Sequence, residues 1–146
     1  LTTAPHPSFA PVVVHEFGHS FACLADEYYY DDQFVEYYYP DCEPWEQNIT
    51  TLADLDSKEW KKMLDDAPVP TPVKESNWEL NPQNPKSADY DPKKPWKLGV
   101  YEGGGYLQKG VYRPWPNCMM NWFHRIDVYC PVCVKEIQNT IDLYVK

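Results

Sequence analysis

Two histidines four residues apart, with a glutamate beside the first, are the residues of this chain best suited to chemistry. His15, Glu16 and His19 lie in the segment VVVHEFGHSFACLADEY. On a helix, residues i and i+4 share one face, so both imidazoles can point at one metal ion. Glu16 is rotated by about 100° from His15 and can instead reach a water bound to that ion. The pattern is the HExxH arrangement, in which two histidines bind Zn²⁺ and the glutamate is a general base.

A helix must hold this pair of histidines. Pro11 suits a first helical turn, because its missing N–H would be unpaired there. The mostly apolar residues that follow predict a helix over residues 11–25, buried on several sides. Buried imidazoles need partners, which a metal ion can supply. The alternative is an ordinary helix that carries the pattern by chance, because HExxH is short.

A zinc site that also binds substrate needs a third protein ligand. Asp26 follows His19 by seven residues, and on an unbroken helix it would lie about 10 Å further along the axis. The helix must therefore end soon after His19 if Asp26 is that ligand. Glu27 is the neighbouring alternative, and both acids could instead be solvated charges at a helix end.

The segment HEFGHSFACLADEY resembles the active-site segment of the bacterial IgA peptidase family of zinc metallopeptidases, which are relatives of the metzincins. Further segments resemble that family in the same order, over about residues 12–137: EPWEQNITTL, KEWKKM, APVPTP, GVYEGGGYLQKGVYRP, NCMMNWF and CPVC. The resemblance implies an α+β, loop-rich, metzincin-like catalytic domain, mainly its active-site helix and C-terminal subdomain. It also implies a zinc-dependent endopeptidase that hydrolyses protein substrates through a metal-activated water.

The resemblance assigns roles to single residues. The implied roles are zinc ligands for His15, His19 and Asp26, general base for Glu16, packing beneath the zinc for Met120, and a place near the cleft for Tyr106. The phenol of Tyr106 could hydrogen-bond the oxyanion, although a packed or substrate-facing tyrosine is the alternative. The chain departs from the family at Ala22 and Cys23, where relatives often have glycines that make the turn after the helix.

Composition limits the class of protein. The chain has 146 residues and a net charge of −9, with no Lys or Arg before Lys58. Nucleic acid is therefore not an expected partner, because phosphate binding needs basic patches, and no stretch is apolar enough to span a membrane. We expect one domain over residues 1–146, the C-terminal part of a longer precursor, because the sequence opens almost directly on the active-site helix. The resemblance implies a bacterial protein that is secreted, periplasmic or on the cell surface, with a protein or peptide substrate; oligomeric state is left open.

Five cysteines are present, at positions 23, 42, 118, 130 and 133. The CPVC segment that holds Cys130 and Cys133 could be a redox pair, half of a metal site, or structural. A disulfide from Cys118 to either of them would suit an exported protein. A separate four-cysteine zinc site would need Cys23 or Cys42 close by.

Elsewhere the sequence predicts mainly loops with a few short elements. Residues 26–47 are acidic and could form a calcium-stabilised loop, but no EF-hand spacing is present and a solvated loop is favoured. We predict a short helix through about Leu64, capped by Asp56 or Ser57, short strands around GVYE and GVYRP, and a helix from Pro131 to about Val145. Asn48 opens a glycosylation sequon, which matters only in a eukaryotic secretory route.

A non-catalytic binding module is the alternative function. Twelve tyrosines and six tryptophans could form a surface for glycans or proteins, because aromatic side chains are favoured at interfaces. A binding module has no need of Glu16, so the intact HExxH favours the enzyme.

Overall fold

The fold combines helices, a two-stranded sheet and long loops, which confirms the α+β prediction. A computed structural model describes residues 9–30, 42–72, 98–122 and 128–145. The helices are α1 (Phe9–Ala22), α2 (Met119–Trp122) and α3 (Pro131–Tyr144), with 3₁₀ turns at Leu55–Ser57 and Glu59–Met63. Strands β1 (Tyr101–Gly104) and β2 (Leu107–Arg113) pair as an antiparallel hairpin.

Helix α1 ends earlier than the predicted residue 25, at a turn that reverses the chain. Cys23 has φ +53°, the left-handed conformation that ends many helices and is usually made by glycine. Its amide donates to the carbonyl of His19 at 3.1 Å, and that of Leu24 donates to Gly18 at 3.2 Å. A cysteine therefore supplies a turn that glycine usually makes.

The prediction that α1 is buried on several sides is wrong. Val13, Val14 and Phe17 are exposed, and the buried positions of the helix are His15 and Gly18. The helix contacts α2 and α3 through this narrow face. A Cβ at Gly18 would lie 2.6 Å from the sulfur of Met120, so the absence of a side chain there allows the close approach.

The hairpin forms where the sequence predicts short strands. Each end of it also forms backbone hydrogen bonds with another segment of the chain. Tyr101 pairs with Arg113 and Gly104 with Leu107. At its turn, the amide of Tyr106 donates to the carbonyl of Tyr28 at 3.0 Å, and at its other end Tyr112 exchanges backbone hydrogen bonds with Thr50. The chain that leaves α1 is therefore held beside the hairpin turn.

The main core lies between the first turn of α3, α2 and the 3₁₀ turns. Its buried members are Leu24, Leu55, Trp60, Val100, Cys118, Met120, Cys130, Val132 and Cys133. Helix α3 begins at Pro131 as predicted, and its apolar residues Val134, Ile141 and Tyr144 are exposed. The helix packs by its N-terminal turn, so its C-terminal half carries apolar residues that contribute little to this core.

The predicted short helix through about Leu64 takes the form of two 3₁₀ helices separated by Lys58, and its predicted caps are wrong, because Asp56 and Ser57 lie within the first of them. Lys58 is buried. Its ammonium donates to the carbonyl of Pro44 and, at 2.8 Å, to the carbonyl of Glu46. It also lies 3.5 Å from a carboxylate oxygen of Glu43. Half of the candidate calcium loop, residues 31–41, lies outside the described residues. Within the parts of the chain that the structure describes, no helix is long and apolar enough to cross a bilayer.

Candidate metal centre

The turn after α1 brings Asp26 to the two histidines. Oδ1 of Asp26 lies 3.0 Å from Nε2 of His15 and 3.2 Å from Nε2 of His19. The two Nε2 atoms are themselves 3.2 Å apart. Three potential ligand atoms thus form a nearly equilateral triangle at the end of the helix.

Backbone carbonyls hold both imidazoles in one orientation. Nδ1 of His15 donates to the carbonyl of Met119 at 2.9 Å, and Nδ1 of His19 donates to that of Leu24 at 2.6 Å. These two hydrogen bonds fix, in each histidine, the tautomer in which Nε2 carries a lone pair, as in the histidine ligands of most zinc sites. Both lone pairs then point toward Asp26.

Asp26 is buried and its two oxygens have different partners. Oδ2 accepts a hydrogen bond from the hydroxyl of Tyr106, whereas Oδ1 is buried without a hydrogen-bond donor. Burial raises the pKa of the Asp26 carboxyl, but His15, His19 and Tyr106 outweigh this and hold the pKa far below its ordinary range. In return, the contact with Asp26 raises the pKa of His19.

These three residues fit a zinc ion. Tetrahedral zinc with bonds of about 2.0–2.1 Å to nitrogen and oxygen separates its ligand atoms by about 3.3 Å, close to the 3.0–3.2 Å sides of the triangle. Oδ1 of Asp26 is buried and has no hydrogen-bond donor, and a buried carboxylate oxygen without a partner costs free energy. A divalent ion would satisfy all three atoms and leave a fourth position for water or substrate.

The comparison with known families identifies the chain. A family model described as IgA Peptidase M64 matches residues 4–88 and 81–141, which together exceed half of the sequence. The chain belongs to the IgA peptidase M64 family. Peptidases of this family are generally metal-dependent. No curated protein matches the chain.

In this M64 peptidase, Glu16 lies on the same helix as the histidine pair. Its side chain is half-buried, and its charge acts on His19 and raises the pKa of that imidazole. This effect indicates that the Glu16 carboxylate lies near His19.

Met119 and Met120 lie beneath the helix in different ways. Met120 is fully buried, and its sulfur is the nearest atom to the space a Cβ would take at Gly18. Its carbonyl accepts the amide of Glu27 at 2.8 Å. Met119 instead supplies the carbonyl that orients His15. Both methionines therefore contact residues that carry or adjoin the candidate ligands.

Glu27, the alternative third ligand, points away from the histidines. It is fully buried, and its Oε1 accepts a hydrogen bond from Nδ2 of Asn48 at 3.0 Å.

Asn48, the first residue of the glycosylation sequon, also forms hydrogen bonds with the backbone N–H and C=O of Ala25, each at 2.8 Å. A side chain with three such contacts and no exposure cannot carry a glycan in this fold, so the sequon has a structural role instead.

Sequence reasoning missed a second group of potential ligands. Glu27 lies with Cys118, Cys130 and Cys133, all four buried and with ligand atoms within 4.8 Å of one another. The disulfide that the sequence left open as an alternative is not formed, since all five cysteines are free thiols. CPVC was a signal for half of such a site, but nothing in the sequence indicated that the acid after Asp26 completes it.

Proposed function

We propose that this M64 peptidase is a zinc-dependent, metzincin-like endopeptidase, with His15, His19 and Asp26 as the zinc ligands. The observation that carries the proposal is the convergence of three ligand atoms at 3.0–3.2 Å. The orphaned Oδ1 of Asp26 and the two backbone contacts that orient the imidazoles support it.

Zinc at this place would polarise a substrate carbonyl and lower the pKa of water to about 7. The residues of the chain then have separate tasks. Glu16 accepts the proton of the attacking water and passes it to the leaving amine, as a general base and then a general acid. His15 and His19 offer Nε2 to the metal, because Nδ1 of each imidazole donates to a backbone carbonyl.

The structure supports a positioning task for Tyr106. Its hydroxyl donates to Oδ2 of Asp26, which leaves Oδ1 for the metal and fixes the carboxylate plane. Its role at the oxyanion stays a prediction. The family match favours peptide hydrolysis over the non-catalytic binding module, and export from a bacterial cell stays a prediction from the resemblance.

Replacement of the base tests this proposal. Glu16→Gln keeps the size of the side chain and removes its basicity, so we expect zinc to be retained and hydrolysis of a labelled protein substrate to fall by about 10²–10⁴-fold. Glu59→Gln makes the same change on a 3₁₀ turn and should keep the wild-type rate. A wild-type rate in Glu16→Gln with zinc bound would refute the role of this carboxylate.

A further inference from the structure

Three cysteines from two parts of the chain converge on Glu27. Cys130 is the residue before the first turn of α3 and Cys133 lies within that turn, so the Cys-x₂-Cys spacing directs both sulfurs to one side. Cys118 directly precedes α2, and its sulfur lies 3.6 Å from that of Cys133. Glu27 approaches from the segment after α1, with Oε1 at 3.2 Å from the sulfur of Cys133 and 4.0 Å from that of Cys130.

These distances match a tetrahedral metal and not a disulfide. Zinc–sulfur bonds of about 2.3 Å separate two thiolates on one ion by about 3.8 Å, and a thiolate from a carboxylate oxygen by about 3.5 Å. The observed sulfur–sulfur distance of 3.6 Å is near the first value, and the two sulfur–oxygen distances, 3.2 and 4.0 Å, lie on either side of the second. A disulfide would need its sulfurs at about 2.05 Å.

The cluster is costly to bury without a cation. Glu27 and Cys133 are completely buried, and Oε2 of Glu27 has no hydrogen-bond partner. A divalent ion would supply the missing partner and stabilise the ionised ligands.

Groups around the cluster are suited to thiolates on a metal. The backbone amide of Cys130 donates to the sulfur of Cys118 at 3.2 Å, the kind of outer contact that supports metal thiolates. Nδ2 of Asn48 donates to Oε1 of Glu27 at 3.0 Å. These donors offset part of the negative charge that three thiolates and a carboxylate would bring to one ion.

We propose that Glu27, Cys118, Cys130 and Cys133 form a second, structural zinc site in this peptidase. Four protein ligands close the tetrahedron, and all four are buried, so the site has no open position for substrate. Soft thiolate ligands select zinc over calcium or magnesium. A redox role for CPVC would need an accessible thiol, and Cys130 and Cys133 are 2% and 0% exposed.

This site would connect the elements that position the first metal centre. Glu27 follows Asp26 directly, and Cys118 precedes Met119, whose carbonyl orients His15. One ion would therefore fix the backbone of both segments. The proposal does not depend on the function of the His15–His19–Asp26 centre, because its ligands are different.

Metal content of purified variants separates the two centres. We expect about two zinc ions per chain in the wild type and about one in either Cys133→Ser or His19→Ala. Cys42→Ser, which changes an exposed cysteine outside the cluster, should keep both. If His19→Ala removes all zinc and Cys133→Ser removes none, the second site is refuted and the first is retained.

A spectrum of the wild-type protein decides the matter even if Cys133→Ser does not fold. Cobalt(II) at a three-thiolate site gives intense sulfur-to-metal charge-transfer bands in the near ultraviolet, whereas the His₂Asp centre cannot. We expect these bands after exchange of zinc for cobalt, in the wild type and in His19→Ala. Their absence from protein that has bound cobalt, or a disulfide among the three cysteines in the intact mass of non-reduced protein, would overturn the proposal.

Discussion

Replacing Tyr106 with phenylalanine removes one hydroxyl from the proposed zinc centre and leaves the ring. That hydroxyl donates to Oδ2 of Asp26, which is buried. A hydrogen bond to a charged group contributes about 1.5–3 kcal/mol, and loss of an outer contact to a metal ligand lowers metal affinity by about 10–100-fold. The two figures agree, because a 10–100-fold change is about 1.4–2.8 kcal/mol. We therefore expect zinc to bind Tyr106→Phe about 10–100-fold more weakly.

Competition with a chromogenic chelator measures this affinity directly. The matched control is Tyr30→Phe, because Tyr30 is exposed and its ring stacks on Tyr106 with centroids 6.2 Å apart. The control should retain wild-type affinity, and Tyr106→Phe should regain most of its hydrolytic rate when zinc is saturating. Unchanged affinity together with a low kcat at saturating zinc would refute the positioning role and place the phenol at the oxyanion.

Three other changes have clear expected outcomes. Gly18→Ala gains about 1 kcal/mol of helix propensity, but the new Cβ would lie 2.6 Å from the sulfur of Met120. Because overpacking costs about 1–3 kcal/mol, urea denaturation should show a net loss of stability. Contact with Asp26 raises the pKa of His19 above the ordinary histidine pKa of about 6.5, so protons compete with zinc for this imidazole at neutral pH. The zinc affinity, measured by titration, should therefore fall steadily from about pH 8 to pH 6. Lys58→Met removes the ammonium that contacts Oε1 of Glu43 and donates to the carbonyls of Pro44 and Glu46. It should lower the free energy of unfolding by about 3 kcal/mol, and an unchanged denaturation midpoint would contradict the importance of these contacts.

Local sequence patterns predicted the parts of the fold that depend on neighbours in the chain. Pro131 marked the start of the last helix, and alternating residues around three glycines marked the hairpin. The exposed side of α1 was not predicted, because apolar periodicity reports a preference for burial and not the partner that provides it. Val13, Val14 and Phe17 are apolar, yet the described residues pack only against the face that carries His15 and Gly18.

The candidate site divides in the same way. The ligand spacing of His15 and His19 follows from helix geometry alone, and the need for the helix to end before Asp26 follows from its length. The conformation that ends it at Cys23, with φ +53°, could not be read from a residue type that rarely adopts it. The cluster around Glu27 depends on contacts between residues more than 80 positions apart, and no local pattern encodes these.

Diffraction from crystals of the zinc-loaded protein, collected on both sides of the zinc absorption edge, tests the central claim most directly. The account predicts an anomalous peak about 2.0–2.2 Å from Nε2 of His15, Nε2 of His19 and Oδ1 of Asp26. A map in which these three side chains are ordered but share no peak, while zinc is present in the crystal, would contradict the proposed catalytic centre.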